Sequence, residues 1–164
     1  MAVQEPLLPS NQVFLNFRGD VRHGLISYLE KALENAGINV FTDKKEMRGE
    51  DLTALFRRIE ESNIALVVFS RRYMESKWCL NELVAIKERV DENKIVAIPI
   101  FYKVEPDELE KLLDEACESH HNVHDDEHIM KKKWKVALTC IKSKMGLTLN
   151  EKRYYFGTLR IIFF

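Results

Sequence analysis

Trp78 and Glu82 stand four residues apart in a stretch that reads as a helix, which stacks them on one flank of it. An aromatic plate beside a carboxylate suits a flat heterocycle joined to a sugar. The ring stacks, and the carboxylate holds ribose hydroxyls or faces positive charge at the anomeric carbon. A second set of chemistry-bearing residues is Arg18, Gly19, Asp20 and Arg22, two guanidiniums beside a residue that permits close backbone approach. Arginine forks match phosphate oxygens bidentately. Together these residues suit a nucleotide with an N-glycosidic bond, whose cleavage passes through an oxocarbenium-like state that an ionised carboxylate favours.

The elements that must position these groups alternate between short apolar runs and amphipathic stretches. Strands are predicted at Val13–Phe17, Ile38–Thr42, Ile64–Phe69 and Lys94–Tyr102. The third is apolar throughout, as a parallel strand covered on both faces should be. Pro99 is awkward in the fourth, because proline gives no ladder donor. A short fifth strand is placed near Asn122-Val123. Helical periodicity runs through Leu25–Ala36, with Gly37 as its cap, and through Leu52–Ile59. It recurs in a stripe of Cys79, Leu83, Ile86 and Val90, then at Leu109–Ala116 and Trp134–Met145.

Strand–helix alternation implies right-handed crossovers and an α/β sandwich, a central parallel sheet with helices on both faces. Ligands of such sheets bind beyond the carboxyl ends of the strands, where strand order reverses. With order 2-1-3-4-5 that crevice lies between the first and third strands. Its walls are Arg18–Arg22 and Ser70–Glu82.

Plainer readings stand beside these. Arg18 also reads as a surface cation, Gly19 as a turn, Trp78 as groove filling, and Glu82 as a capping or salt-bridging residue. His120, His124 and His128 share a helix face, but no cysteine pair accompanies them and Asp125, Asp126 and Glu127 favour a solvated stretch over a metal site. Lys131, Lys132, Lys133 and Lys135 around Trp134 read as a solvated basic face. Cys79 lies on the buried stripe without an evident base, which argues against a nucleophile.

The 164 residues fit one domain, and 25 basic against 26 acidic residues argue against a dedicated nucleic-acid binder. The apolar runs are far shorter than the ~20 residues of a membrane span, and Met1–Ser10 lacks the layout of a signal peptide. Cys79, Cys117 and Cys140 lack paired spacing, which suits reduced thiols in a cytoplasmic protein.

At these same residues the chain resembles a plant Toll/interleukin receptor (TIR) domain. The likeness begins at Val13-Phe14-Leu15-Asn16-Phe17-Arg18-Gly19-Asp20 and continues through Gly37–Phe41, Arg48-Gly49-Glu50 and Ile59-Glu60-Glu61-Ser62. It resumes at Val67-Val68-Phe69-Ser70, Trp78-Cys79-Leu80-Asn81-Glu82-Leu83 and Ile98-Pro99-Ile100-Phe101-Tyr102. It covers residues 11–147, leaving 1–10 as a flexible segment and 148–164 as a tail of unassigned structure.

The resemblance implies a flavodoxin-like fold and a hydrolase that releases nicotinamide from NAD+ or NADP+ in immune signalling and cell death. NAD(P)+ is then a substrate, with no tightly bound cofactor and no metal. Glu82 matches the catalytic glutamate and Trp78 the aromatic beside it. Arg18, Gly19 and Arg22 match the first loop, Ser70 the end of the third strand, and Arg48 the BB loop. Self-association with other TIR domains is implied to complete the site, in the cytoplasm with the nucleus as a second compartment. The first loop, Gly19-Asp20-Val21-Arg22, is one residue shorter than the family's, and Ser27-Tyr28 replaces Ser-His on a self-association helix. Those departures keep a rival in view, a non-catalytic adaptor working through TIR–TIR contacts; a nucleotide sensor that binds without cleaving is a third reading.

Overall fold

The computed structural model describes residues 12–42, 52–118 and 125–149, the side chains of 52–55 and 125 excepted. Five strands form one parallel sheet in these residues: β1 Gln12–Asn16, β2 Asn39–Thr42, β3 Ile64–Phe69, β4 Val96–Tyr102 and β5 Leu147–Leu149. Their order is β2-β1-β3-β4-β5, as the sequence implied. Among the described residues five α-helices accompany them: α1 Ser27–Asn35, α2 Leu52–Glu60, α3 Lys77–Asp91, α4 Leu109–Glu118 and α5 Asp125–Lys142.

The alternation of side chains along each strand divides the core in two. Val13, Leu15 and Phe17 of the β1 segment, with Leu66 and Val68 of β3, pack beneath Leu29 and Leu33 of α1. Phe14 of β1 and Ala65, Val67 and Phe69 of β3 face the other way. They meet Ile59 of α2, Leu80, Leu83 and Ile86 of α3, Leu113 of α4, and Leu138 and Ile141 of α5. Asn16 is the next residue of β1 on that second side and is fully buried.

Helix α1 ends where Gly37 was expected to end it. Gly37 has φ 78°, its N–H donates to Glu34 O at 3.0 Å, and the Ile38 N–H donates to Leu33 O at 3.0 Å. This paired closure uses the left-handed conformation that glycine adopts without a Cβ penalty.

Three expectations change. The fifth strand is Leu147–Leu149, after α5, so residues 148 and 149 belong to the sheet and not to a tail. Asn122-Val123 lies outside the described residues, as do residues 1–11 and 150–164. Helix α5 starts at Asp125, well before Trp134, so its acidic and basic residues occupy the opening turns of a helix. The helical path into α1 begins at Gly19, in a short turn Gly19–Val21 that runs into a wide turn over Arg22–Ile26, so Arg22 is not a loop residue.

Pro99 fits β4 because it pairs with Val67 on one side while the β5 ladder begins only at Ile100↔Leu147. Gly146 closes the space beside it. A Cβ on Gly146 would collide with the Pro99 carbonyl and ring. Gly146→Ala is therefore expected to destabilise the fold by about 1–3 kcal/mol, read as a lower urea midpoint at unchanged slope.

Candidate functional site

Helix α3 starts over the carboxyl end of β3, where Ser76 caps it by accepting the Cys79 N–H at 3.2 Å. From that start Cys79, Leu80, Glu82, Leu83 and Ile86 all turn inward. Glu82 therefore lies in the buried stripe itself and not on an exposed flank, and only 1% of it is accessible. A carboxylate removed from water needs hydrogen-bond donors. Asn16 supplies one: its Nδ2 donates to Glu82 Oε2 at 2.7 Å and also lies 3.3 Å from Cys79 O. Tyr73, in the short helical turn Tyr73–Glu75 after β3, donates its OH to Asn16 Oδ1 and lies 3.2 Å from Cys79 O.

Neither Asn16 nor Tyr73 was singled out from the sequence. The signal for Asn16 was present: strand alternation puts an amide on the same side as Phe14, inside the core, where it must find partners. For Tyr73 the helical turn after β3 had to be seen first.

Arg18 follows β1 directly and ties the two walls of the crevice together. Its guanidinium lies 3.7 Å from Asp20 and 3.6 Å from Glu75, which also receives Arg72 Nε at 2.8 Å. The first loop and the segment leading to Trp78 thus share one charge cluster at the carboxyl end of the sheet. Trp78 is half-buried, packs against the α3 side of the core, and its Nε1 has no hydrogen-bond partner among the described residues. Ser70 Oγ, buried at the end of β3, is in the same condition.

The remaining predicted residues are placed differently. The Arg22 guanidinium lies over the Phe17 ring, 5.1 Å from its centroid, and Phe17 belongs to the α1 side of the core. Gly19 is exposed, and no atom of the protein stands within 4 Å of where a Cβ would be, so the fold itself does not demand glycine there. Arg48 lies outside the described residues. The Cys79 thiol donates to Phe17 O at 3.2 Å. A cavity of about 690 Å³ lies beyond the other flank of α3, lined by Phe56, Val84, Arg89 and Met130, and includes none of the predicted site residues.

Lys131 and Lys135 pair with Asp114 of α4 while Trp134 is buried and donates to Asn81 Oδ1 at 3.0 Å. Among the described residues no group of three or more His, Cys, Asp or Glu is placed to hold a metal ion, and no helix is long and apolar enough to cross a membrane.

Tyr73 carries the clearest electrostatic signature of the site. Burial first, then electrostatic repulsion from Cys79 and Glu82, pushes its phenol well above the ordinary 10.0. The raised folded value means this group stabilises the fold fully below the unfolded value and ceases to as pH climbs through the folded one. Stability of the wild type should thus fall with pH above 10.0 more steeply than that of Tyr73→Phe. The excess approaches ~1.4 kcal/mol per pH unit, measured by urea unfolding across an alkaline series.

Comparisons with known proteins bear on the fold and the family. The family described as TIR domain matches residues 11–154. A TIR domain-containing protein of Arabidopsis thaliana is 42% identical over 95% of this chain and 66% of its own length. Disease resistance protein RBA1 of the same plant is 46% identical over 89% of this chain and 41% of its length. The TIR domains of the activated Roq1 resistosome directly recognizing the pathogen effector XopQ superpose with a TM-score of 0.80 at 33% identity. That match covers 94% of this chain and 100% of that one. Against several longer curated relatives the chain spans only 26%, 13% and 12% of their length. By the extent of the family match and by its fold, this chain belongs to the TIR domain family.

Proposed function

We propose that this chain hydrolyses the nicotinamide–ribose bond of NAD+ or NADP+ when self-associated, and that it acts in plant innate immune signalling and cell death. The observation that carries this reading is the Glu82 carboxylate, held by Asn16 at the carboxyl end of β1, where the sheet order reverses. Bond cleavage sends the C–N electron pair out with neutral nicotinamide and leaves an oxocarbenium-like ribosyl carbon. Glu82 stabilises that charge, and water adds with loss of a proton. Trp78 supplies a stacking face, Arg18 a counter-charge for the diphosphate, and Ser70 Oγ and Trp78 Nε1 two polar atoms a ligand would satisfy.

Arg22 and Gly19 are assigned to the rim, and Arg48 to closure of a neighbour's site, by likeness to the family alone. Names of relatives support the setting: several are disease resistance proteins, and the solved neighbour is a resistosome. The partners proposed are NAD(P)+ and other TIR domains, in the cytoplasm.

One observation favours a second reading. Glu82 is 1% accessible, and Arg18 is already paired with the protein's own acids, so a substrate reaches both only after the rim opens. A non-catalytic adaptor would need no such opening. On the hydrolase reading association with a neighbour drives it, which makes activity concentration-dependent.

Concentrated wild type with NAD+ should release nicotinamide with a rate rising faster than linearly in protein, and Glu82→Gln should lose roughly 10²–10³-fold. Equal slow release from both folded proteins contradicts the hydrolase reading, and TIR–TIR binding indifferent to Glu82→Gln then supports the adaptor.

A further inference from the structure

We infer that Asn16 is a positioning residue for the Glu82 carboxylate, and that Tyr73 in turn fixes which end of the Asn16 amide faces it. The inference deepens the hydrolase reading, since it concerns the same carboxylate. An asparagine side chain offers one acceptor and one two-proton donor, and its two ends are interchangeable in shape. The Tyr73 OH donates to Oδ1. That contact leaves Nδ2 as the end turned toward α3, where it donates to Glu82 Oε2 at 2.7 Å. A flipped amide would set its oxygen against the carboxylate.

All three side chains are buried, so solvent cannot substitute for any of these bonds. They also come from three separate pieces of chain: the end of β1, the turn after β3, and α3. One oxygen of the Glu82 carboxylate, Oε2, is thereby held toward the end of β1. Donation by a neutral amide favours its ionised form, the form needed opposite a developing cation. The titratable groups beside the network are Tyr73 and Cys79. At the rim, Arg18 and Arg72 are paired with Asp20 and Glu75.

The experiment is a direct titration of Glu82 by carbon NMR of carboxyl-labelled full chain, its resonance assigned by its disappearance in Glu82→Gln. Asn16→Leu keeps the shape and removes the donor. It should raise the Glu82 titration by about one to two pH units, given the usual strength of a charge-assisted bond. Tyr73→Phe should move it in the same direction by less, and it carries the test by itself where Asn16→Leu does not fold. Gly146→Ala, destabilised at a distant position, should leave it unmoved.

In the nicotinamide assay, Asn16→Leu should shift the acid limb of kcat upward by the same amount and recover at higher pH, whereas a structural loss lowers kcat at every pH. A titration unchanged by Asn16→Leu and Tyr73→Phe, or shifted equally by Gly146→Ala, overturns the inference. A shifted titration in a wild type that releases no nicotinamide upholds the positioning and removes the hydrolase reading.

Discussion

The fold sets a carboxylate where water does not reach, and much of the local architecture follows from that. An unpaired buried charge costs several kcal/mol, so the carboxylate persists only where the chain supplies donors of fixed geometry. Asn16 is that donor because of strand register. Val13, Leu15 and Phe17 point to α1, so Phe14 and Asn16 must point to α3. A slip of one residue in β1 would send the amide to the wrong side of the sheet and leave Glu82 against apolar neighbours. The packing of the sheet and the chemistry of the site are thus one constraint.

That constraint also explains why the crevice has the composition it does. At the switch point β1 and β3 lie side by side while their following segments diverge to opposite faces of the sheet. The β1 segment leads into α1 and the β3 segment into α3, which leaves their ends free to form a rim. Arg18 and Glu75 draw the two segments together from outside. Tyr73 and Asn16 do so from inside. The outer pairs are exposed enough to exchange partners at small cost, whereas the inner bonds are not. Opening of such a site should therefore begin at the charged rim and leave the inner network intact.

Signals confined to one stretch of chain were legible in the sequence. The run Ile64–Phe69 announced a covered parallel strand and is β3 to the residue. Gly37 announced the end of α1, and the sheet order is the one implied by the resemblance to the family. The placing of Trp78 and Glu82 at one end of the sheet followed from topology as well. Where two distant pieces of chain decide the outcome, local pattern does not suffice. β5 is three residues long, and its identity comes from pairing with Ile100–Tyr102 rather than from its own pattern. Helix α5 begins in polar residues whose periodicity is weak until Trp134. Glu82 reads as a flank residue in the sequence because a glutamate on an apolar stripe looks like a mismatch without Asn16 opposite it.

The hydrolase reading depends on the contact proposed between the buried carboxylate and a dinucleotide. It is tested most directly by a structure of the self-associated protein bound to a non-cleavable NAD+ analogue. On the proposed reading the nicotinamide-side ribose lies within hydrogen-bonding distance of Glu82, with the Asn16 amide still donating to the same carboxylate and Arg18 released from Glu75 toward the diphosphate. An analogue seated elsewhere, with Glu82 still enclosed as it is in the single chain, would contradict it.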